Sequence, residues 1–236
     1  MAKIDKSQYT KQQWHVIREK RKLKKAARIL QESDVQKNKT EDQSTAFVLG
    51  NGTSRQSINV ENLKSYGKIY GCNALYRTFS PDYLVAVDVK MILEINKAGY
   101  QHRHTVWTNP NKSFSKMKNL NFFQPSKGWS SGPTALWLAS QHGYKNIFVL
   151  GFDYKGLDNG KKLNNIYADT ANYKKSTDGA TFFGNWLRQT KSVIADNPNI
   201  NYFRVIAPDN YCPEELNKFR NYKTITVEEF QKQFKT

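Results

Sequence analysis

Short apolar runs alternate with amphipathic stretches along this chain from Ala46 onward. Runs of this length, bounded by glycine, asparagine or aspartate, predict buried β-strands. Four of them are rich in apolar side chains and two more are shorter or less regular. The predicted strands are Ala46–Leu49, Lys68–Asn73, Tyr83–Asp88, His104–Trp107, Asn146–Leu150 and Tyr202–Ile206.

The stretches between these strands have the apolar spacing of helices. They are Arg55–Leu63, Val89–Ala98, Pro133–His142, Ala180–Ala195 and Val227–Phe234. Pro133 suits the first turn of its helix, where a missing N–H has no consequence. Alternation of buried strands with helices indicates an α/β fold with a doubly wound, mainly parallel, Rossmann-like sheet. We assign this domain to residues 45–236.

The first 44 residues have a different composition and are predicted to form a basic helical arm and a linker. Residues 1–40 hold twelve lysines and arginines against four acidic residues. Trp14, Ile17 and Leu23 recur at roughly helical spacing within a predicted helix over Thr10–Leu30. The charge favours a polyanionic partner, either nucleic acid or an acidic surface. The alternative is that the charge only keeps the protein in solution.

Composition restricts the class of protein. With 236 residues, 38% of them hydrophobic, the chain has room for one sizeable domain and an appendage. Cys72 and Cys212 are far apart in the sequence and lack metal-ligand spacing. His102 and His104 have no evident third ligand, so no metal site is predicted at these cysteines and histidines. No stretch approaches the roughly 20 apolar residues of a membrane span. We therefore expect a cytoplasmic protein.

The segment Gly50-Asn51-Gly52-Thr53 follows the first predicted strand and precedes a predicted helix. Glycines in this position allow the backbone to approach a phosphate, and a helix N-terminus supplies N–H groups and partial positive charge. The segment lacks the lysine of a Walker loop and is not a complete GxGxxG motif. A tight structural turn is the alternative interpretation.

Polar or small residues also follow three other predicted strands, at Asn73, Asp88 and Asp153. Because the carboxyl ends of parallel strands share one edge of a sheet, these residues are expected to surround one ligand crevice. Asp88 and Asp153 would then bind hydroxyl groups or a Mg²⁺ ion. Asparagine and aspartate are also common turn residues, which leaves a structural role open for each.

Several of these segments together resemble two related groups of proteins. One group is the bacterial CMP-sialic-acid-dependent sialyltransferases, and the other is the MptE-like group, which includes pterin pyrophosphokinases and flagellin-glycosylation proteins. The motifs are Val48–Ser54, Gly71–Asn73, Ser130–Leu136 and Gly143–Asp153, with Pro81–Asp88 closer to the MptE-like group.

The resemblance implies a sheet of GT-A-variant type and a nucleotide held by the glycine segment and by the asparagine after the second strand. In this chain those residues are Gly50, Asn51, Gly52 and Asn73. It also places Ser130, Ser131 and Gly132 beside the nucleotide. A nucleotide sugar of CMP or UDP type is the implied donor.

The chain departs from the sialyltransferases because it has no histidine after His142 to act as general base. In the corresponding region the candidate bases are Asp169, or Tyr173 or Lys174 with a depressed pKa. These residues lie in a long polar segment, Lys155–Thr177, which is interpreted either as a substrate lid or as a surface excursion.

The sequence thus favours a nucleotide-sugar-dependent glycosyltransferase or a related nucleotide-using transferase. The richness in lysine, asparagine and tyrosine also resembles bacteriophage products, which would make modified DNA or a host surface glycan the acceptor and the host cytoplasm the location. The rival interpretation is a non-catalytic protein with a degenerate transferase fold, whose basic arm binds nucleic acid or a larger assembly.

Overall fold

A computed structural model of the chain describes residues 44–236. The predicted helix over Thr10–Leu30, and with it nearly all of the predicted arm and linker, lies outside the described residues. None of the helices within residues 44–236 is long and apolar enough to cross a membrane.

A single eight-stranded sheet forms the centre of the domain, and every strand pair in it is parallel. The strands are β1 (Thr45–Leu49), β2 (Lys68–Cys72), β3 (Tyr83–Val85), β4 (Thr105–Thr108), β5 (Asn121–Phe122), β6 (Asn146–Leu150), β7 (Asn201–Ile206) and β8 (Tyr222–Thr226). Their order is β5-β4-β3-β2-β1-β6-β7-β8. The predicted doubly wound parallel α/β fold is confirmed.

Helices cover both faces of this sheet. The α-helices are α1 (Val89–Lys97), α2 (Ser131–Gln141), α3 (Gly184–Asp196), α4 (Glu214–Asn217) and α5 (Val227–Phe234). Short 3-10 helices are Thr53–Arg55, Val60–Ser65, Asn73–Arg77, Tyr100–His102, Lys112–Phe114 and Asp158–Gly160. Side chains of α1 and α5 pack with Phe47 and Leu49 of β1 on one face, while α2 and α3 pack with Ala46 and Val48 on the other. Alternate residues of β1 therefore bury themselves in opposite layers.

Two predicted helices differ from the structure. The stretch Arg55–Leu63 forms no α-helix, because Asn59 starts a second short 3-10 helix by accepting a hydrogen bond from the N–H of Glu61. The helix predicted from Ala180 begins only at Gly184, since residues 180–183 run beside a cavity instead.

Three short elements were not predicted: β5, α4 and β8. The strand β5 has only two residues, and β8 is mostly exposed, so neither contains the continuous apolar run that indicates a buried strand. Both are edge strands, where one face or one side of the strand meets solvent.

The chain changes direction across the sheet at β1. It first runs outward through β2 to β5 and then returns to β6 on the other side of β1. In open parallel sheets, ligands bind in the crevice at the carboxyl ends of the strands where the order reverses. In this sheet the crevice lies beyond Leu49 and Leu150, and a ligand site is expected there.

Candidate functional site

A cavity of about 390 Å³ opens at this switch point. It is bordered by the ends of β1, β2 and β6, by the start of α2, and by the long connection from Gly151 to Phe183, called here the cavity loop. The parallel sheet thus brings together most of the predicted site residues. Those that line the cavity are Gly50, Asn51, Gly52, Asn73, Asp88, Ser130, Ser131, Gly132, Asp153, Tyr173 and Lys174.

The glycine segment lies tightly against the end of β6. The N–H of Gly50 donates to the carbonyl of Leu150 at 2.7 Å, and the N–H of Gly52 donates to that of Gly151 at 2.9 Å. A Cβ on Gly50 would overlap the carbonyl oxygen of Gly151, and one on Gly52 would overlap the carboxylate of Asp153. Gly52 has φ −68°, which any residue adopts, so it is needed for close packing and not for a left-handed backbone.

The N–H groups that were expected to face a phosphate are largely committed to protein acceptors. Besides those of Gly50 and Gly52, the N–H of Thr53 donates to Asn164 Oδ1 at 2.8 Å and that of Ser54 to Asp153 Oδ2 at 3.1 Å. Between Gly50 and Ser54, only the N–H of Asn51 has no acceptor among the described residues. A phosphate contact through any of the other four N–H groups would require a hydrogen bond to break.

At the beginning of α2, in contrast, backbone N–H groups lack protein acceptors. The N–H groups of Ser131 and Gly132 have no acceptor within residues 44–236, the Ser130 side chain does not cap the helix, and the first turn holds no acidic residue. All three residues line the cavity. An eleven-residue helix directs the positive end of its dipole at that point. This is the arrangement that binds anions at helix N-termini.

Ser131 also connects three elements at the cavity. Its hydroxyl accepts a hydrogen bond from the N–H of Val87 at 3.1 Å and donates to Asn73 Oδ1 at 2.7 Å. Because the Asn73 oxygen is used in this way, the Nδ2 group of Asn73 is left to donate. Asn73 has φ 52°, a left-handed conformation that asparagine tolerates better than most residues. The predicted pair Asn73 and Ser131 therefore forms a fixed polar corner of the cavity.

Asn51 and Tyr173 meet at the end of β2, beside the residues that flank Asn73. Asn51 is 9% exposed and its Nδ2 group donates to the carbonyl of Cys72 at 3.4 Å and to the Tyr173 hydroxyl at 3.3 Å. The same hydroxyl accepts from the N–H of Ala74 at 3.3 Å. Asn51 Oδ1 is buried and has no partner among the described residues. A buried acceptor of this kind needs a donor from a ligand or from water.

Two of the three predicted general bases do not fit that role. Burial raises the pKa of Tyr173 well above its usual value, so the prediction of a depressed pKa is wrong for this residue. Asp169 is exposed and is not part of the cavity lining. Hydrogen bonds from Ser176 lower the pKa of Asp169 and make its carboxylate a weaker base. Lys174 does line the cavity.

The two carboxylates predicted to bind hydroxyl groups or Mg²⁺ differ in their surroundings. Asp153 is buried and accepts hydrogen bonds from Ser54 through both of its oxygens. Asp88 lines the cavity and is exposed, and its carboxylate has no hydrogen-bond partner among the described residues. Within residues 44–236 no group of three or more metal-ligating side chains is present. The Mg²⁺ ion stays a prediction, with Asp88 as the one uncommitted carboxylate.

The cavity loop is fastened to the domain by a network around Glu94. Arg77 donates to both oxygens of Glu94, each at 2.7 Å, and also to Thr170 Oγ1 and the carbonyl of Ala171 at 2.8 Å. Asn172 Nδ2 donates to Glu94 at 2.6 Å. Thr170, Ala171 and Asn172 of the loop are thus hydrogen-bonded to a bidentate ion pair that lies outside the loop.

Three of the eight non-glycine residues with positive φ within residues 44–236 line this cavity. Asn73, Tyr154 and Asn172 all line it with φ between 52° and 64°, and Gly151 has φ 69°. For tyrosine such a conformation is uncommon, and Tyr154 is held in it by burial and by a hydrogen bond from its hydroxyl to Thr190 at 2.9 Å. Strained residues of this kind persist where the surrounding structure fixes them and cluster at ligand sites.

Sequence reasoning missed other residues of the site. Asn164 supplies the acceptor for Thr53, and Phe183 and Trp186 line the cavity from the start of α3. No local signal identifies Asn164, because it is one of several asparagines in a polar loop. Phe183 and Trp186 lie in the segment that was assigned to a predicted helix, where aromatic residues indicate core packing.

Comparison with known protein families, with curated proteins and with solved structures finds no match for this chain. The resemblance to sialyltransferases and to the MptE-like group therefore depends only on the motifs given above. The architecture defines the chain as a Rossmann-like α/β protein with a polar cavity at the switch point of its sheet.

Proposed function

We propose that this protein is a nucleotide-dependent group transferase, of the nucleotide-sugar glycosyltransferase type, which binds the donor phosphate at the N-terminus of α2. The observation that carries the proposal is the pair of unsatisfied N–H groups at Ser131 and Gly132, two residues that line the switch-point cavity. In this proposal the glycine segment has a structural role. Its N–H groups are already hydrogen-bonded to the end of β6 and to the cavity loop, and they hold these parts of the chain together.

Other groups around the cavity suit the remainder of a nucleotide donor. Asn73 Nδ2 offers a donor, and Asn51 Oδ1 a buried acceptor. Phe183 and Trp186 provide aromatic surface against which a base or a sugar ring can stack. A volume of about 390 Å³ lies in the usual range for small-molecule sites, about 300–1,000 Å³.

The proposed reaction joins an acceptor oxygen to the anomeric carbon of the donor sugar, while the bond from that carbon to a phosphate oxygen breaks. The helix dipole of α2 and the N–H groups of Ser131 and Gly132 would stabilise the negative charge on the departing phosphate. The acceptor hydroxyl must lose its proton, and Asp88 is the exposed carboxylate in the cavity that can take it.

A non-catalytic nucleotide-binding protein is the second candidate. It is favoured by the position of Asp169 outside the cavity and by the raised pKa of Tyr173, which together remove two of the predicted bases. Both candidates require that a nucleotide binds, and only the first requires turnover.

The test begins with thermal-shift measurements on the full chain against CMP, UDP, GDP, ADP and their sugars. A ligand at about 100 times its Kd stabilises the folded state by about 2.7 kcal/mol, which is a measurable shift. The bound donor is then assayed for transfer or hydrolysis with the wild type and with Asp88→Asn. Binding with turnover that is lost in Asp88→Asn supports the transferase. Binding without turnover supports the second candidate, and stabilisation by no nucleotide contradicts both.

A further inference from the structure

Charge is distributed very unevenly over the described part of the chain. Residues 44–236 carry 25 basic and 14 acidic side chains, yet the 58 residues from 95 to 152 contain seven basic side chains and no acidic one. In contrast, residues 207–236 contain five of each sign. Most of the excess of positive charge therefore belongs to one portion of the domain.

Six of these seven basic side chains lie between Lys97 and Lys127, before, between and after β4 and β5 at one end of the sheet. Strand β5 is the last strand on its side and β8 the last on the other, so the two ends are separated by seven strand spacings, or roughly 34 Å. Four exposed lysines lie in the connection between β4 and β5 and in the loop after β5; they are Lys112, Lys116, Lys118 and Lys127. None of them forms an ion pair with a residue in the range 44–236. Buried Phe114 anchors the connection to the core.

Aromatic side chains adjoin one of these lysines, Lys127. The ammonium group of Lys127 lies 5.2 Å from the ring centroid of Trp129 and 5.5 Å from that of Trp137. Its neighbours are therefore two aromatic rings, which attract a cation without neutralising its charge as a carboxylate would. Both tryptophans are only partly buried. Trp129 directly precedes Ser130, which lines the cavity. A lysine and two tryptophans therefore meet just after β5, at this end of the sheet.

We propose that this surface, consisting of Lys112, Lys116, Lys118, Lys127 and Trp129 and called here the basic edge, binds single-stranded nucleic acid. Unpaired lysines gain affinity for a phosphate backbone by releasing its counterions, and a tryptophan face stacks on an unpaired base. Duplex DNA presents no unpaired base for that stacking. The inference does not depend on the proposed transferase activity.

A membrane surface is the less suitable partner. Peripheral binding to anionic lipid combines lysines with apolar side chains that enter the interface. The exposed large hydrophobic residues of the described chain are Tyr66, Leu93, Leu157, Phe182 and Tyr211, and none of them lies on the basic edge.

The experiment compares two full-chain variants of equal charge. The first replaces the lysines of the basic edge (Lys112→Gln, Lys116→Gln, Lys118→Gln and Lys127→Gln). The second replaces four exposed lysines outside the basic edge (Lys218→Gln, Lys223→Gln, Lys232→Gln and Lys235→Gln). Affinity for a fluorescent 20-nucleotide oligothymidine is measured across a salt series. Residues 1–40 are the same in both variants, so any binding by them cancels in the comparison.

For the first variant we expect the slope of log K against log salt to become shallower by about 2.8, since each phosphate contact contributes about 0.7 for single strands. The second variant should keep nearly the wild-type slope. Trp129→Ala should weaken binding at least about fivefold with little change in slope, because stacking of a base is worth about 1–3 kcal/mol. Circular dichroism and thermal melting of each variant establish that it is folded.

Three outcomes would overturn the proposal. Equal losses in the two lysine variants would mean that net charge alone determines affinity. Tighter binding of a 20-base-pair duplex than of the single strand would remove the role of stacking. Preferential binding to phosphatidylserine vesicles, weakened by the first variant only, would assign the basic edge to a membrane.

Discussion

The carboxylate of Asp153 accepts a hydrogen bond from the backbone N–H of Ser54 at 3.1 Å and another from the Ser54 hydroxyl at 2.5 Å. This contact joins the end of β6 to the turn after β1, across 99 residues of sequence. The side chain occupies the place beside the turn where an anionic ligand was expected, and it supplies the negative charge itself. The phosphate is therefore better sought at α2, whose first N–H groups have no such partner.

The first prediction concerns this pair. Asp153→Asn should lower the free energy of unfolding by about 1.5–3 kcal/mol, the usual range for a hydrogen bond to a charged group. Ser54→Ala should have a similar effect. In the double variant the two losses should be less than additive, because both remove the same interaction. Urea denaturation of the four proteins measures the coupling, and strict additivity would mean that the contact contributes nothing.

A second prediction concerns Gly52, whose replacement should destabilise the domain as well as affect any ligand. An added Cβ would lie 2.8 Å from the carbonyl oxygen of Gly151 and would overlap the Asp153 carboxylate. We expect Gly52→Ala to lower the free energy of unfolding by about 1–3 kcal/mol, as overpacking does. Gly179→Ala is the matched control, since nothing lies within 4 Å of its added Cβ. Equal stability of the two variants would contradict the packing seen here.

The third prediction tests the polar corner of the cavity. Ser131→Ala removes the donor that fixes Asn73 Oδ1 and leaves the N–H of Val87 without its acceptor. If a nucleotide binds as proposed, its Kd should rise about tenfold, which corresponds to about 1.4 kcal/mol. Isothermal titration measures this change, and Ser115→Ala, at an exposed position far from the cavity lining, serves as control. An unchanged Kd would place the ligand elsewhere.

A fourth prediction concerns the attachment of the cavity loop. Arg77→Ala removes the ion pair with Glu94 and two hydrogen bonds to the loop. Limited proteolysis should then cut the loop several times faster than in the wild type. Arg103→Ala, at an exposed arginine with no ion pair to a described residue, should leave the rate unchanged. Cleavage at the wild-type rate in Arg77→Ala would show that other contacts hold the loop.

The same attachment should be sensitive to acid. Burial raises the pKa of Glu94, but hydrogen bonds from Tyr76, Arg77 and Asn172 outweigh it and hold the pKa below its ordinary value of 4.5. Because the folded state binds this proton less readily than the unfolded state, the stabilisation is present above about pH 4.5 and is lost as pH falls below it. Loop cleavage by an acid protease should therefore accelerate in that range for the wild type and change less for Arg77→Ala.

Much of the fold could be predicted from the sequence because the signals involved are local. Continuous apolar runs identified β1 and β6, and helical spacing gave α5 with its observed limits, Val227–Phe234. A parallel sheet also forces strand ends to one edge, so the grouping of Asn73 and Asp153 at one cavity followed from the pattern alone.

Only the tertiary structure decided which polar groups of the site can interact with a ligand. Whether the N–H of Thr53 faces a ligand depends on Asn164, which is 111 residues away, and whether Tyr173 can act as a base depends on how deeply the loop buries it. Hydrogen-bond partners and burial depend on contacts between residues that are distant along the chain. Such contacts cannot be predicted from a local sequence pattern. The sequence by itself determined where the buried strands, most of the longer helices and the polar strand ends lie, while the packing of the cavity loop determined which of those polar groups remain available for chemistry.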